Sequence, residues 1–273
     1  MKRNKTALLS VPYIAFMVIF TLIPLGVVAY YALTDPSTKA FTLGNLSELA
    51  MYLPVLGQSV LYSLVSALIC LILGYPVAYF IAHQGKVAQK ILYMLVMLPM
   101  CMSFLLRTLA WVGLLQDTGI INNFLDWIGV GRLQLIRTPA AVVLGMVYNY
   151  LPYMILPLYA IIVKIDKRLI EAAEDLGCTP AQTFVKVVLP LSVPGILSGI
   201  TMVFVPAVST FYISQKLGGT DTVLIGDLIE RLFKQSANRN LGATLSLVLM
   251  ALVFICTGIM NRFGGDEEGG VVV

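Results

Sequence analysis

One histidine, His83, is all that the 273 residues contain, so neither a histidine-based metal site nor a histidine-dependent triad can be assembled from this chain. Cysteine is nearly as sparse. Cys70, Cys101, Cys178 and Cys256 are scattered with no CxxC spacing, and three of them sit in hydrophobic stretches, where a thiol behaves as a small apolar residue. That argues against a disulfide framework and against a zinc site. No GxxxxGK[ST] run occurs, which excludes a P-loop for ATP on this chain itself. Charge is the largest deficit: charged residues make up 12%, where soluble domains carry about 25%. The net charge of +4 is small and dispersed, so it leaves no electrostatic footprint for nucleic acid.

Apolar residues fill the space that charge leaves. They reach 59%, with a mean hydropathy of +0.89, against about 45–50% in soluble domains, and this is the composition of an integral membrane protein. Six stretches are long enough to be membrane helices: Val11–Leu33, Gln58–Ala82, Ile91–Leu115, Pro139–Val163, Val187–Ile213 and Leu241–Met260. At about 1.5 Å per residue each covers a hydrocarbon core of about 30 Å. None shows the strict alternation of a transmembrane strand, which argues against a barrel. The first stretch follows MKRNK, and its apolar run exceeds the about 7–15 residues of a signal peptide, so it reads as a retained anchor.

Orientation follows from lysine and arginine in the short loops. With both termini cytoplasmic, ten such residues fall inside and seven outside, and three precede the first span where one follows it. The expectation is an all-α integral membrane protein whose residues 1–264 form a single transmembrane domain. The glycine-rich, acidic residues 265–273 are expected to be a disordered tail.

Proline recurs within the spans, at Pro12, Pro24, Pro76, Pro99, Pro152, Pro157, Pro190, Pro194 and Pro206. Each removes a backbone hydrogen bond, tolerable in a membrane only where a neighbouring helix or water satisfies the freed carbonyl. Two or three in one span predict bent helices lining a pathway, and the proline-free last span predicts a straight peripheral helix. Two amphipathic segments predict short helices at the outer interface. In one, Ile225, Leu228, Ile229, Leu232 and Phe233 oppose Asp227, Glu230, Arg231 and Lys234; in the other, Ile120, Ile121, Phe124, Leu125 and Ile128 share a face. Arg107 is the one charge well inside a hydrophobic stretch. It is either functional, as intramembrane ionisable groups commonly are, or a snorkelling side chain, lying roughly 24 Å along the axis of its span. Trp111, one turn on, suits an outer aromatic belt.

The longest polar excursion, residues 164–190, carries the most local information. Asp166 predicts a helix starting at Lys167 with Leu169, Ala172, Ala173 and Leu176 on one face. Gly177 predicts its end, through positive φ. Thr179, Pro180 and Gln182 predict a capping box on a second helix. Phe184, Val185 and Val188 continue an apolar face until Pro190 and Pro194 redirect the chain. Glu171, Glu174 and Asp175 lie toward the C-terminal half of the first helix, where the dipole disfavours anions by about 0.3–1 kcal/mol, and Glu171 and Asp175 form a like-charge i,i+4 pair. A cationic partner would relieve that penalty; a solvated acidic face is the alternative.

Glu171-Ala172-Ala173, Gly177, Val187 and Leu189-Pro190 resemble the EAA motif of ABC-importer permeases at full spacing. LGYPVAYFIA, LIRTPAAVVLGMVYNYLPYMILPLY, IDKRLIEAAEDLG and ISQKLGG are similar to the spermidine/putrescine permeases of that group, over about residues 55 to 260. The resemblance implies a type I (MetI-like) fold in a bacterial inner membrane. It also implies a coupling loop in which Glu171, Ala172, Ala173, Asp175 and Gly177 meet a cytoplasmic ATPase. That ATPase would be present in two copies and hold ATP and magnesium, so that this chain carries no cofactor and no catalytic residue. A second permease subunit and an extracellular or periplasmic substrate-binding protein are the other partners implied. For a polycationic cargo the pathway would use aromatic faces and carboxylates: Phe211 and Tyr212, with Arg107 and Trp111 as further pathway candidates. Where such permeases present an acid just after the aromatic pair, this chain has Gln215; the next acids are Asp221, Asp227 and Glu230, of which Asp227 and Glu230 complete the six pathway candidates. An ion-coupled carrier would want several intramembrane carboxylates, and a membrane-embedded enzyme a His, Asp or Glu cluster at one interface. The sequence offers neither.

Overall fold

A computed structural model describes residues 11–35, 39–42, 44–219, 222–234 and 238–264. The N-terminal cations, Asp221 and the 265–273 tail lie outside the described residues. Those described are helical, apart from an isolated bridge between Thr34 and Phe41 and the connecting turns. Six helical stretches have the length and apolar composition to cross a membrane: Pro12–Ala32, Leu49–Ala82, Phe104–Trp127, Pro139–Ile162, Pro180–Val208 and Arg239–Met260. By their internal contacts the residues divide into two units.

The first unit holds the described residues up to Pro54 together with Leu228–Leu252. Helix α1 (Val11–Met17) passes through a widened π-turn, Val18–Leu22, into α2 (Ile23–Ala32). Pro24 sits just after that turn, where the looser bonding pattern makes room for a residue without an N–H. The last carbonyls of α2 lack intrahelical partners, and side chains supply them. Asn45 Nδ2, on the short helix α3 (Gly44–Ser47), donates to the carbonyls of Ala32 at 3.0 Å and Thr34 at 3.1 Å. Thr244 Oγ1 donates to Ala32 O at 3.2 Å, and Asn240 Nδ2 donates to Thr34 O at 2.5 Å.

The second unit holds Val55–Asp227 and the described residues from Val253 on. Helix α4 (Leu49–Ala82) turns a stripe of small residues inward, with Ser59, Ser63, Ala67, Cys70, Gly74 and Ala78 all buried; small side chains are what let membrane helices approach closely. Helices α5 (Lys86–Met97), α6 (Phe104–Leu115), α7 (Ile120–Trp127) and α8 (Pro139–Ile162) follow. Then come α9 (Lys167–Asp175), α10 (Pro180–Thr183), α11 (Leu189–Val208) and α12 (Tyr212–Leu217). Helices α8 and α11 pack along each other, close enough that a Cβ on Gly199 would sit 2.5 Å from Met154 Sδ. Helix α13 (Ile225–Lys234) and the final α14 (Arg239–Gly264) run across the division between the units.

Three spans differ from their sequence expectation, and the simplest case is the second, which begins at Leu49 rather than Gln58. The stretch Ile91–Leu115 is broken: α5 ends in a 3₁₀ turn, Leu98–Cys101, and Met102 is extended before α6 begins. Pro99 occupies that turn, where its missing N–H costs no helical bond. The crossing length is reached instead by Phe104–Trp127, over α6 and α7. The fifth span starts earlier and ends earlier than Val187–Ile213. Pro190 and Pro194 do not redirect the chain: a π-turn, Phe184–Val188, joins α10 to α11 and gives the Lys186 carbonyl room against Pro190, and Pro194 stands inside the continuous helix. The helix stops at Val208, and Ser209–Phe211 leave it before α12. The last span is unbroken, as expected.

Candidate functional site

The polar excursion folds as its local signals predict. Asp166 Oδ1 accepts from the Arg168 N–H at 3.0 Å and starts α9. Gly177 takes φ +85°, the Gly177 N–H donates to Glu174 O at 2.9 Å, and the Cys178 N–H donates to Ala173 O at 3.1 Å. That pair of bonds closes a helix on a left-handed glycine. The Thr179 N–H donates to Gln182 Oε1 at 3.0 Å and the Gln182 N–H donates to Thr179 Oγ1 at 3.4 Å, which completes the capping box.

One side of this element is anchored and the other is open. Phe184 stands edge-on to the rings of Tyr75 and Tyr79 of α4, with centroids 5.5 and 5.7 Å away, and Tyr75 Oη shares a 2.8 Å hydrogen bond with Ser192 Oγ. Val188 is buried, whereas Val185 faces out. The expected apolar face of α9 is divided: Ala173 at its edge is buried, while Ala172 is exposed, Leu169 is 49% exposed and Leu176 is 87% exposed. Glu171, Glu174 and Asp175 beside them are exposed and have no ion-pair partner among the described residues. Among the described residues, nothing covers this apolar strip or pairs with the carboxylates that flank it.

Of the six residues expected on a substrate pathway, the structure brings three together. Arg107, Phe211 and Tyr212 line a cavity of about 320 Å³, whose other walls are Phe104, Asn149, Tyr150, Tyr153 and the Ser209–Thr210 turn. The break after Val208 makes this possible, because the chain leaves the helix there and presents Phe211 and Tyr212 at its edge. Arg107 does not snorkel. It is 6% exposed, and its Nε and Nη1 are buried with no hydrogen-bond partner. Trp111 lies off the cavity, its ring edge-on to Tyr148 at 5.3 Å. The Tyr212 ring already receives a cation on its face, the Lys216 Nζ at 5.7 Å from the centroid.

The acids are arranged differently from the periodicity. Asp227 was expected on the polar face of its helix and is instead 1% exposed. Gln215 Nε2 donates to Asp227 Oδ1 at 2.8 Å. The first turn of α13 is packed on several sides at once: the Ile225 N–H donates to Ser59 Oγ at 2.8 Å, and Gly226 lies against the Ser209 and Thr210 carbonyls. Glu230, in the first unit, is paired with Lys234 Nζ at 2.5 Å. Asn149, Tyr150 and Tyr153 were not anticipated. The signal was present as the run Tyr148-Asn149-Tyr150-Leu151-Pro152-Tyr153, which places an amide and two phenols on one side of an otherwise apolar helix.

Residues 74–263 match the family of binding-protein-dependent transport system inner membrane components. The chain is 36% identical over 248 residues to the spermidine/putrescine transport system permease protein PotB of Escherichia coli, covering 88% of this chain and 90% of that protein. Its fold resembles that of a chain from a bacterial ABC transporter involved in the import of the acidic polysaccharide alginate, with a TM-score of 0.82 at 19% identity and 96% of each chain covered. A second structure of a bacterial alginate ABC transporter, in complex with an alginate pentasaccharide-bound periplasmic protein, matches with a TM-score of 0.79 at 19% identity, over 97% of this chain and 96% of that one.

Proposed function

Because this multi-pass chain belongs to the family of binding-protein-dependent transport system inner membrane components, we propose that it is one of two permease subunits of an ATP-driven importer of the polyamines spermidine and putrescine. Residues 1–264 act as one permease domain with both termini cytoplasmic. ATP and magnesium are held by a separate ATPase present in two copies, and a binding protein outside the membrane delivers the cargo. The observation that carries the reading is the Lys167–Val188 element, whose inner side is anchored on α4 and whose outer side sets exposed Leu169, Ala172 and Leu176 beside Glu171, Glu174 and Asp175, which have no ion-pair partner among the described residues. An apolar strip ringed by charge is suited to a groove on a soluble protein with basic edges. The polyamine assignment is supported by the similarity to the spermidine/putrescine permease over 88% of the chain.

If Glu171 meets a cation on the ATPase, Glu171→Gln weakens capture of the ATPase at low ionic strength, and the difference from the parent shrinks at about 1 M salt, where the screening length falls to about 3 Å. Equal capture by both forms at low salt would show a merely solvated carboxylate.

On the cargo side, Gln215 stands where the resemblance leads one to expect an acid, and its amide is bonded to Asp227. A carboxylate therefore sits one hydrogen bond from that position, supplied by α13. Polycation recognition then rests on the faces of Phe211 and Tyr212, while Asp227, 1% exposed and off that cavity, holds the Gln215 amide in place. Tyr212→Ala forfeits about 0.5–2 kcal/mol of cation binding, so labelled spermidine uptake by proteoliposomes holding the complete complex should be roughly 2- to 30-fold less sensitive, with assembly as the folding control. Uptake at the parental concentration dependence removes the ring from the pathway. Absence of spermidine uptake by the parent complex overturns the polyamine assignment.

A further inference from the structure

Arg107 and Asp227 are the two charged side chains buried among the described residues, and only one of them is satisfied. Asp227 accepts from Gln215. Arg107 Nε and Nη1 have no hydrogen-bond partner among the described residues. A buried cation without a partner is costly, so a group that arrives and pairs with it is favoured by the desolvation cost it removes. A second residue lining the same cavity holds an unsatisfied atom: Asn149 is 1% exposed, its Nδ2 donates to Gly145 O at 2.8 Å, and its Oδ1 has no partner among the described residues. The amide cannot be reversed without setting its oxygen against a carbonyl, so the free atom is an acceptor.

The residues around the cavity thus include a cation with unmet donors and an amide with an unmet acceptor, between aromatic walls that include Phe211 and Tyr212. A diamine satisfies the acceptor and is repelled by the guanidinium. Chloride, or a carboxylate side chain from another subunit, satisfies the guanidinium and leaves Asn149 Oδ1 orphaned. A small molecule with an ammonium at one end and a carboxylate at the other satisfies both. The volume of about 320 Å³ lies at the small end of ligand pockets, which suits a short chain.

We propose that this cavity binds an amino carboxylate, with the carboxylate on Arg107 and the ammonium at Asn149 Oδ1 against the aromatic walls, as a substrate class beyond the polyamines. This rests on the cavity lying on the import pathway proposed above.

The test measures equilibrium binding of labelled 4-aminobutanoate and of labelled putrescine, two compounds of similar length that differ at one end. Both are titrated into the permease pair with its ATPase in nanodiscs, without the soluble binding protein. The parent complex should bind 4-aminobutanoate, and Arg107→Met should weaken that binding at least tenfold while tightening putrescine at least twofold. Arg107→Lys should fall between, since it keeps charge and loses the planar donor set. Asn149→Asp places a carboxylate beside the guanidinium and should likewise abolish 4-aminobutanoate binding while strengthening putrescine. No binding of 4-aminobutanoate by the parent complex, or equal binding by Arg107→Met, overturns the proposal. So does loss of permease pairing in Arg107→Met that is restored by neutralising a carboxylate on the second permease, which makes Arg107 an intersubunit ion pair. Arg107-dependent binding of 4-aminobutanoate with no binding of putrescine or spermidine would instead remove the polyamine reading and leave this site standing.

Discussion

Gly177→Val is expected to leave the protein in the membrane and abolish coupling: substrate-stimulated ATP hydrolysis and uptake should both fall at least tenfold, as labelled-substrate transport and phosphate release in reconstituted complexes would show. The reason is backbone geometry. Gly177 holds φ +85°, and the left-handed region costs an L-residue roughly 1–2 kcal/mol, with β-branched side chains among the worst suited. Nothing lies within 4 Å of the position a Cβ would take, so steric crowding contributes nothing. The strain is relieved by reopening the joint between Asp175 and Thr179, which re-aims α9 and its exposed Leu169–Leu176 strip away from the ATPase groove proposed for it. A control follows from the same argument: asparagine tolerates the left-handed region, so Gly177→Asn should retain most of the coupling. Parental stimulation of ATP hydrolysis by the valine variant would overturn this account.

That joint was legible in the sequence because everything that defines it is local. Asp166, Gly177 and the Thr179–Gln182 pair act within four residues of themselves, and each appears in the structure with its expected bond. The helical class and the six crossings were legible for a similar reason, since hydropathy over about twenty residues integrates over local errors. Ends of spans were not. Pro99 and the prolines at 190 and 194 carry the same chemistry, yet one stands in a break and the others in a continuous helix preceded by a π-turn. The neighbours that accommodate the freed carbonyls decide between these outcomes, and a linear pattern does not contain them.

The cavity was half legible. Arg107 stood out as a lone charge, and Phe211 and Tyr212 through the resemblance, but the wall they share is completed by α8, which supplies Asn149, Tyr150 and Tyr153 from a part of the chain remote from both. Asp227 was misplaced for an instructive reason. A helical period assigns it the face opposite Ile225, which would be solvated if only one side of α13 were packed. At the first turn Ile225, Gly226 and Asp227 are all buried, because Ser59 and the Ser209–Thr210 turn approach from different directions. Amphipathic reasoning fails wherever a helix begins inside the core rather than on its surface.

Gly226 shows how tightly that beginning is fitted, and Gly226→Ala should have a large effect from one added methyl. Its φ is not in the left-handed region, so conformational freedom is not what the position requires. A Cβ there would lie 2.6 Å from both the Ser209 and the Thr210 carbonyl oxygens, and these are backbone atoms that cannot rotate away as a side-chain tip could. Overpacking of this kind costs typically about 1–3 kcal/mol. The displaced segment matters here, because Ser209 and Thr210 line the cavity and Phe211 and Tyr212 follow them directly. Moving it by a few tenths of an ångström shifts two aromatic walls relative to Arg107 and Asn149. Substrate binding by the complete complex should therefore weaken at least tenfold, with a melting temperature lowered by roughly 2–8 °C. Gly57→Ala, on α4 where nothing lies within 4 Å of a Cβ, should leave both measurements unchanged and separates crowding from the general effect of replacing a helical glycine. Parental binding and melting in Gly226→Ala would show that the start of α13 can withdraw from the Ser209–Thr210 turn without disturbing the cavity, and would detach α13 from the recognition of cargo.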